Sequence, residues 1–317
     1  MRRYITAVVI FSLVFFGLSS LSHGAGFLIY EHGAAAMAMG GAFVALANNP
    51  SAIFHNPAGI AFLEGTQISF GTTLIFPVAS LSLPNWPDPA YQSVNQVSQM
   101  FYPSTFYISH KISDKIVAGF GFFNPYGMGV KWPEDYPLKY ISIRDDMKTF
   151  FFNPTLAFKI NENFSLGFGV SYIYSTLEFE LVEHVERDLD PAVSGLPISV
   201  PYTMDVPLVL DATGSAWALN AGALYKGENF SIGFNWRGGF KIKFDGDLAL
   251  SAALVDVTIP PPWDTLLPPG TDVALETAIA DQVPSEGGVL IPSFNFPHIF
   301  GVGVAFNLTE SLIMSAD

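Results

Sequence analysis

Strict alternation between apolar and small residues is the feature that most constrains the fold of this chain. In the stretch NFSLGFGVSYIYSTLEF, every second residue from Phe164 to Tyr174 is apolar, and nearly all residues between them are Ser or Gly. A period of two places successive side chains on opposite faces of a β-strand. The sequence therefore predicts strands with one aromatic face and one face of small residues.

A second segment, NFSIGFNWRGGFKIKF, repeats this pattern and would form a long strand from Asn229 to Phe244. Its two faces would then carry Ile232, Phe234, Trp236, Phe240, Ile242 and Phe244 on one side, and Arg237, Lys241 and Lys243 on the other. A soluble sandwich also alternates, but charged residues rather than Gly and Ser dominate its exposed faces. Long strands with an aromatic face are typical of membrane β-barrels.

Short polar turns and long loops alternate between the strand-like segments. About nine strands are predicted, near residues 66–76, 104–112, 115–123, 148–160, 164–177, 215–226, 229–244, 296–308 and from 311 onward. The long connections lie at about 77–103, 124–146, 177–214 and 245–295. Barrels of this kind have an even number of strands, and an open edge in lipid leaves backbone groups unpaired. We therefore expect the chain to be a fragment that lacks C-terminal strands.

The first 64 residues precede the alternating region and form two segments. Residues 1–24 have two arginines, an apolar run and small residues before a cleavage site, which predicts a secretory signal peptide with Ala25 as the mature N-terminus. Residues 25–64 are rich in Ala, Gly and Met and show no strand alternation. Small side chains allow a compact plug inside a narrow lumen. The predicted domains are therefore the signal peptide, an N-terminal hatch at 25–64, and a partial β-barrel at 65–317.

Composition disfavours several classes of function. The formal net charge of −14 would repel nucleic-acid phosphates, and the absence of cysteine excludes disulfides. The sequence has no metal-spaced His pair, Gly-x-Ser-x-Gly elbow or Gly-rich phosphate loop. We expect no cofactor, no metal site, no nucleic-acid partner and no catalysis.

The order of these segments resembles the FadL-type long-chain fatty acid and hydrocarbon transporters of Gram-negative outer membranes. The resemblance depends on Ala25-Gly26-Phe27 after the signal peptide, on the phrase ANNPSAIFHNPAGI, and on FNPTLAFKINENFSLGFGVSYIY. It implies a 14-stranded barrel, of which about nine strands are present here, plugged by a small helical hatch in the outer membrane. It also implies ligand-gated passive diffusion of hydrophobic molecules, a lateral exit, a monomer, and contact with outer-membrane lipid and lipopolysaccharide.

Two elements are candidates for gating. Asn56, Pro57 and Ala58 match the Asn-Pro-Ala hatch motif of the family, which implies that they lie against a kink in the third strand. In this chain the third strand carries Gly119 and Gly121, followed by Asn124-Pro125. Glycine and proline weaken a strand ladder, so a break in the wall is expected between 119 and 129, unless Asn124-Pro125 only begins an outer loop. The resemblance adds Ala25, Gly26 and Phe27 to the candidate gating residues.

A fatty acid needs an apolar slot and a basic or polar partner for its carboxylate. Arg237, Lys241 and Lys243 lie on the predicted lumen side of the seventh strand, and Arg144 and Lys148 flank the fourth. We select Arg144 and Arg237 as candidate substrate-binding residues. The alternative is that such charges solvate a wet lumen or balance acidic residues of the hatch.

Three classes of barrel compete for this sequence. A general or structural porin needs no N-terminal plug, and a lipid-hydrolysing barrel needs a triad at its outer rim. His110 and His298 lie on the outward parity of their strands, which does not suit a triad facing the lumen. The hatch motif favours transport of hydrophobic molecules, most strongly long-chain fatty acids, with aromatic or aliphatic hydrocarbons as the alternative.

Overall fold

The computed structural model describes residues 28–189, 200–250, 256–261, 265, 287–288, 293–309 and 312–317. The predicted signal peptide and the candidate residues Ala25, Gly26 and Phe27 lie outside these ranges. No helix among the described residues has the length and apolar character needed to cross a membrane.

Sixteen strands and two short helices are found in the described part of the chain. The strands are β1 (Thr66–Thr72), β2 (Ser80–Ser82), β3 (Ser93–Asn95), β4 (Ser104–Ser113), β5 (Ile116–Phe123), β6 (Gly127–Lys131), β7 (Arg144–Lys159), β8 (Phe164–Leu189), β9 (Val200–Lys226), β10 (Phe230–Arg237), β11 (Phe240–Leu250), β12 (Asp256–Thr258), β13 (Gly287–Gly288), β14 (Phe294–Phe296), β15 (Ile299–Thr309) and β16 (Leu312–Ala316). The helices are α1 (Ala34–Ala38) and α2 (Ala52–His55), and 3₁₀ turns lie at Pro57–Phe62 and Pro89–Tyr91.

The main sheet is an antiparallel meander. Its strands follow the order β1-β4-β5-β7-β8-β9-β10-β15-β16, which confirms the nine predicted strands. The outer face carries exposed apolar side chains such as Phe70, Trp217 and Phe300. The inner face contacts residues 28–64, which we call the hatch. Apolar residues outside and a filled interior describe the antiparallel outer-membrane β-barrel fold.

The predicted loop at 177–214 is wrong over most of its length. β8 continues to Leu189 and β9 begins at Val200, so the two strands contain 26 and 27 residues and pair without a register shift. About 10 residues suffice to cross a bilayer, so the hairpin extends far beyond it. Outside the membrane both faces of a strand meet water, and the acidic run from Glu178 to Asp188 therefore does not prevent strand pairing.

The predicted single strand from Asn229 to Phe244 is interrupted at Gly238-Gly239. β10 pairs with β9 up to Arg237↔Asn220, whereas β11 resumes with Lys243↔Ser215, which is a shift of one residue. A one-residue shift exchanges the two faces of a strand. Phe240, Ile242 and Phe244 are consequently buried inside, and Lys241 and Lys243 are exposed, which is opposite to the prediction.

Hatch and sheet meet at glycines on the inner face of the wall. A Cβ at Gly119 would lie 2.8 Å from Ile53 Cδ1, and one at Gly121 would lie 2.9 Å from Ile53 Cγ2. Gly119 and Gly121 therefore admit a hatch side chain rather than break the strand, because β5 pairs with β7 through Phe123↔Phe151.

Candidate functional site

The Asn-Pro-Ala motif anchors the hatch to β8 and β9. Asn56 Nδ2 donates to the carbonyl oxygens of Val44 at 2.8 Å and Ala223 at 3.1 Å, and its Oδ1 accepts from Ala58 N at 3.2 Å. Ser165 Oγ on β8 donates to the Ala58 carbonyl at 2.8 Å. The side chain of Asn56 is fully buried, so these contacts satisfy a polar group that water cannot reach.

The resemblance implied a different position for this motif. Backbone atoms of Pro57 and Ala58 lie where a Cβ at Gly167 of β8 would be, and Asn56 blocks the same space at Gly222 of β9. The third strand of the barrel, β5, is contacted by hatch residues Ile53 and Ile60 instead. The motif therefore seats the hatch on the wall two to three strands away from the kinked strand.

The kink itself lies at Asn124–Tyr126, between β5 and β6. Both strands pair with β7, with Phe123↔Phe151 below the kink and Gly127↔Lys148 above it, so the wall resumes after a shift of one residue. We call this interruption the first break. The N-terminal segment fills it, because Leu28 pairs with Tyr126 and Ile29 N donates to the Pro125 carbonyl at 2.8 Å.

Arg237 is the last residue of β10 and points toward the hatch. Its guanidinium lies 4.1 Å from the ring centroid of Phe54 and 5.8 Å from that of Phe123, and Nη2 donates to the Phe54 carbonyl at 2.9 Å. Among the described residues, no carboxylate forms an ion pair with it. Cation–π contacts and one carbonyl leave most N–H donors of the guanidinium available.

Neutral groups surround this cation. Burial lowers the pKa of His55 to about 4, and burial together with the charge of Arg237 lowers the pKa of His32 well below its usual range. His55 Nε2 lies 3.0 Å from the His32 carbonyl oxygen, and the Phe54 ring packs against His32 at 4.2 Å. At neutral pH both imidazoles are uncharged, so Arg237 provides the positive charge of this region.

A cavity of about 650 Å³ adjoins Arg237. Hatch residues such as Phe54 and His55 line one side, and Asn220, Asn235 and Ile299 of the wall line the other. Its size falls in the range of small-molecule sites, and its lining mixes apolar residues with polar and charged ones, among them Glu31 and Asp317. The Asn235 side-chain amide also donates to the His55 carbonyl, which ties hatch to wall at the cavity.

Arg144 lies in a different electrostatic environment. Its Nη2 lies 2.5 Å from Glu178 Oε2 and 3.5 Å from Asp146 Oδ2, and its Nη1 lies 3.4 Å from Glu180 Oε1. Lys148 Nζ also contacts Asp146, at 2.9 Å. Three carboxylates and two cations leave this cluster net negative.

The arginine also lies on the wrong face of the wall. β7 and β8 pair without a register shift along this stretch, and Arg144 has the same parity as the outward-facing Phe152. A second cavity of about 770 Å³ adjoins this cluster at the first break. Arg144 therefore does not face the lumen, whereas a residue that binds a substrate carboxylate inside the barrel would have to.

Sequence reasoning did not identify the aromatic and hatch partners of Arg237. Phe54 and Phe123 hold its guanidinium, and Tyr107 is fully buried nearby on β4. The signal for Asn235 was available, because it shares the inward parity of Arg237 two residues earlier. No cluster of three or more potential metal ligands is found among the described residues.

Comparison with known proteins identifies the relatives of this architecture. The family profile described as "Outer membrane protein transport protein (OMPP1/FadL/TodX)" matches residues 16–292. The chain belongs to this family. The outer membrane protein transport family is found in the outer membrane of Gram-negative bacteria, which agrees with the apolar outer face of the sheet.

Sequence relatives in the family are distant. The long-chain fatty acid transport protein of Escherichia coli O6:H1 is 24% identical over 216 residues, covering 64% of this chain and 47% of that protein. The protein of the same name from Salmonella typhi is 23% identical over 228 residues, covering 68% and 51%. The chain therefore spans about half the length of the curated relatives it matches.

Solved structures of this family share the fold. A FadL homologue from Pseudomonas aeruginosa superposes with a TM-score of 0.60 at 18% identity, covering 92% of this chain and 68% of that one. The toluene transporter TodX from Pseudomonas putida gives 0.58 at 15% identity, covering 92% and 70%. These similarities establish the outer-membrane barrel fold.

Proposed function

We propose that this protein serves in the uptake of hydrophobic molecules across the outer membrane, with long-chain fatty acids as the substrate class. The observation that carries the proposal is the guanidinium of Arg237, which adjoins a cavity of about 650 Å³ and has no ion-pair partner among the described residues. The sequence relatives named as long-chain fatty acid transport proteins support this class.

The physical argument concerns a charge without a counterion. Removing a cation from water is unfavourable unless an anion and hydrogen bonds compensate. Arg237 has aromatic rings and one carbonyl, which compensate in part. A fatty acid carboxylate would complete the pair with two parallel hydrogen bonds, and its tail would occupy apolar parts of the cavity.

The hatch supplies the gate in this proposal. The Asn-Pro-Ala motif holds it to β8 and β9, and Leu28 and Ile29 fill the first break by backbone hydrogen bonds. Ligand in the Arg237 cavity contacts Phe54 and His55, which belong to the same hatch. Displacement of the hatch would withdraw Leu28 and Ile29 and open a lateral exit at Asn124–Tyr126, by passive diffusion and without covalent chemistry.

The test compares Arg237→Gln with Arg144→Gln in the full chain. We expect Arg237→Gln to weaken stearate binding by about 10- to 100-fold, the value of hydrogen bonds to a charged group, while binding of an uncharged hydrocarbon such as octadecane stays unchanged. Arg144→Gln should leave both affinities within about twofold, because Arg144 faces outward and is already paired. Equal loss of stearate and octadecane binding in Arg237→Gln would reject Arg237 as the carboxylate partner.

Uptake of hydrocarbons is the second candidate. The cavity at the first break has largely apolar walls, including Ile75, Met100 and Phe101, and the carboxylates around Arg144 disfavour an anionic ligand there. The solved toluene transporter shares the fold. Wild-type protein that binds octadecane or toluene but not stearate would favour this alternative.

A further inference from the structure

A second interruption of the wall lies between β10–β11 and β14–β15. β10 and β15 pair from Phe230↔Phe306 to Arg237↔Ile299, and β11 and β14 resume at Phe240↔Phe296. Gly238, Gly239, Pro297 and His298 lie between these pairs and have no partners across the gap in either ladder. We call these four residues the second break.

No backbone ladder spans the second break, but the main chain of residues 296–298 packs against Gly239, and side chains add hydrogen bonds. His298 Nδ1 accepts from Gly239 N at 2.9 Å and from the indole Nε1 of Trp236 at 3.3 Å. The rings of Trp236 and His298 stack with centroids 6.0 Å apart and planes 14° from parallel. On the other edge, Gly238 N donates to the Leu219 carbonyl at 2.7 Å, so the contact with β9 is kept.

The cavity beside Arg237 is lined by residues from both faces of the wall at this break. It is lined by Arg237 and Ile299, which face inward, and by their chain neighbours Trp236 and Phe300, which face outward. Successive side chains of a strand point to opposite faces. A single cavity that is lined by both members of each pair therefore lies directly against the wall at this break.

The second break lies at the outer edge of the apolar band. Below it, β10 presents Ile232 and Phe234 outward, and both are exposed. Above it, the outward residues of β11 are Lys241, Lys243 and Asp245. A change from apolar to charged outward residues marks the boundary between hydrocarbon and the head-group region.

We propose that the second break is a lateral entrance through which long-chain carboxylic acids dissolved in the outer leaflet reach Arg237, with Trp236 and His298 as its gate. A carboxylate is costly to place in hydrocarbon, so a membrane-dissolved fatty acid keeps its head group at the interface. That is the level of the break, and Arg237 is the first inward-facing residue below it. Irregular backbone at membrane depth is tolerated where it lines a cavity, which fits this position.

This entrance rests on the proposed function but is separate from the exit at the first break. The first break is filled by main chain of the hatch, whereas the second is closed by residues of the wall itself, through the Trp236–His298 contact and the packing of residues 296–298 against Gly239. Opening it breaks two hydrogen bonds to His298 and leaves the hatch in place.

The test uses fluorescence quenching by 9,10-dibromostearic acid in phosphatidylcholine vesicles that contain the full chain. In one variant Trp236 is the only tryptophan, because the others are replaced: Trp86→Phe, Trp132→Phe, Trp217→Phe and Trp263→Phe. In the matched control, Phe234→Trp is combined with Trp236→Phe, which moves the probe to the same face of the same strand, where the ladders to β9 and β15 are intact. If this control misfolds by circular dichroism, Ile232→Trp replaces it, because its pairings are also intact.

We expect quenching of Trp236 to contain a saturable component that Arg237→Gln removes, whereas the control shows only the linear quenching of a lipid-facing residue. His298→Phe keeps the ring stack but loses the acceptor, and it should speed the saturable phase by roughly tenfold. Because Trp236 lines the Arg237 cavity, the rate of the saturable phase tests the route: an unchanged rate in His298→Phe, or equal, linear quenching at both positions, would overturn the entrance. A direct measurement of stearate binding then shows which hypothesis fails. If stearate still binds, only the entrance is rejected; if it does not bind, the entrance and the proposed function are both rejected.

Discussion

The two breaks in the wall differ in what fills them and in the charge beside them. The first break holds backbone of the hatch, and outside it Arg144 is paired with carboxylates from β7 and β8. The second break is closed by the wall itself, through Trp236, His298 and the main chain against Gly239, and inside it Arg237 has no ion-pair partner among the described residues. An arginine near an opening is therefore available to a ligand only where the protein's own carboxylates do not already hold it.

The largest expected difference between the regions is in stability. Arg144→Met leaves Asp146, whose side chain is 5% exposed, beside two glutamates with only Lys148 to balance them. Because Asp146 is buried but Arg144 and the two glutamates are partly exposed, we expect a loss of about 1 to 3 kcal/mol of unfolding free energy. Arg237→Met removes a cation without stranding any carboxylate, so its loss should be clearly smaller. Urea unfolding in vesicles measures the loss of unfolding free energy in both variants. Similar losses would mean that the two arginines do not differ in how the protein pairs them.

Acidification should affect the hatch below the second break before the barrel. The folded pKa of His55 is about 4 against an ordinary 6.5, so above pH 6.5 the imidazole is neutral in both states. As the pH falls from 6.5 to 4 the displaced hatch takes up the proton first, and up to about 3 kcal/mol of hatch stability is lost. Hydrogen exchange should show protection of residues 44–56 falling over this range while β8 stays protected.

Variants at the histidines provide the control for this pH effect. The lowered pKa of His32 acts in the same direction. In His32→Leu/His55→Gln the protection of the hatch should no longer change between pH 6.5 and 4. A pH dependence that survives this double substitution would assign it to other groups.

A carboxylate introduced beside Arg237 should make it resemble Arg144. Asn235 faces the same cavity two residues earlier on β10, and Asn235→Asp is nearly isosteric. The new anion competes with a ligand carboxylate, and we expect stearate affinity to fall by roughly tenfold with octadecane affinity unchanged. Isothermal titration calorimetry checks both, and Asn235→Ala controls for loss of the bond to the His55 carbonyl.

The smallest effect is expected at Lys241, which the shift at Gly238-Gly239 turns outward. Lys241→Ala should change stearate affinity by less than about twofold, because an exposed cation on the outer face does not contact the lumen. A loss of stearate affinity comparable to that of Arg237→Gln would mean that β10 and β11 form one continuous strand in the membrane-embedded protein.

Much of the fold follows from the sequence because one face of each wall strand meets lipid and the other meets the interior. Period-two alternation of side chains reports this difference directly. The nine strands and their short turns were predicted on this basis and found. The pattern failed at Phe240, Ile242 and Phe244, since a Gly-Gly pair fits a continuous strand as well as an interrupted one. It also failed beyond Leu177, where strands leave the membrane and alternation no longer reports a lipid-facing side.

The candidate site was predicted less well, because its character depends on neighbours distant in sequence. Arg144 and Arg237 look alike in the sequence, yet Glu178 and Glu180 pair with one of them across a strand boundary. A break was predicted between residues 119 and 129 and lies within that range, at Asn124–Tyr126, but Gly119 and Gly121 do not cause it, because they receive Ile53 and leave β5 continuous. The side chain that occupies the space at a wall glycine comes from a distant part of the sequence, so the local sequence does not predict it.

The uninterrupted pairing of β8 with β9, from Phe164↔Tyr225 to Leu189↔Val200, limits how this hairpin can change its length. Deleting residues from one strand alone would shift every pair above the deletion, whereas deleting opposite residues from both strands preserves the register. Removing two residues from each strand also restores the original faces. Insertions and deletions in this hairpin should accordingly occur in both strands together, as opposite pairs of residues, so that its length changes while its register is kept.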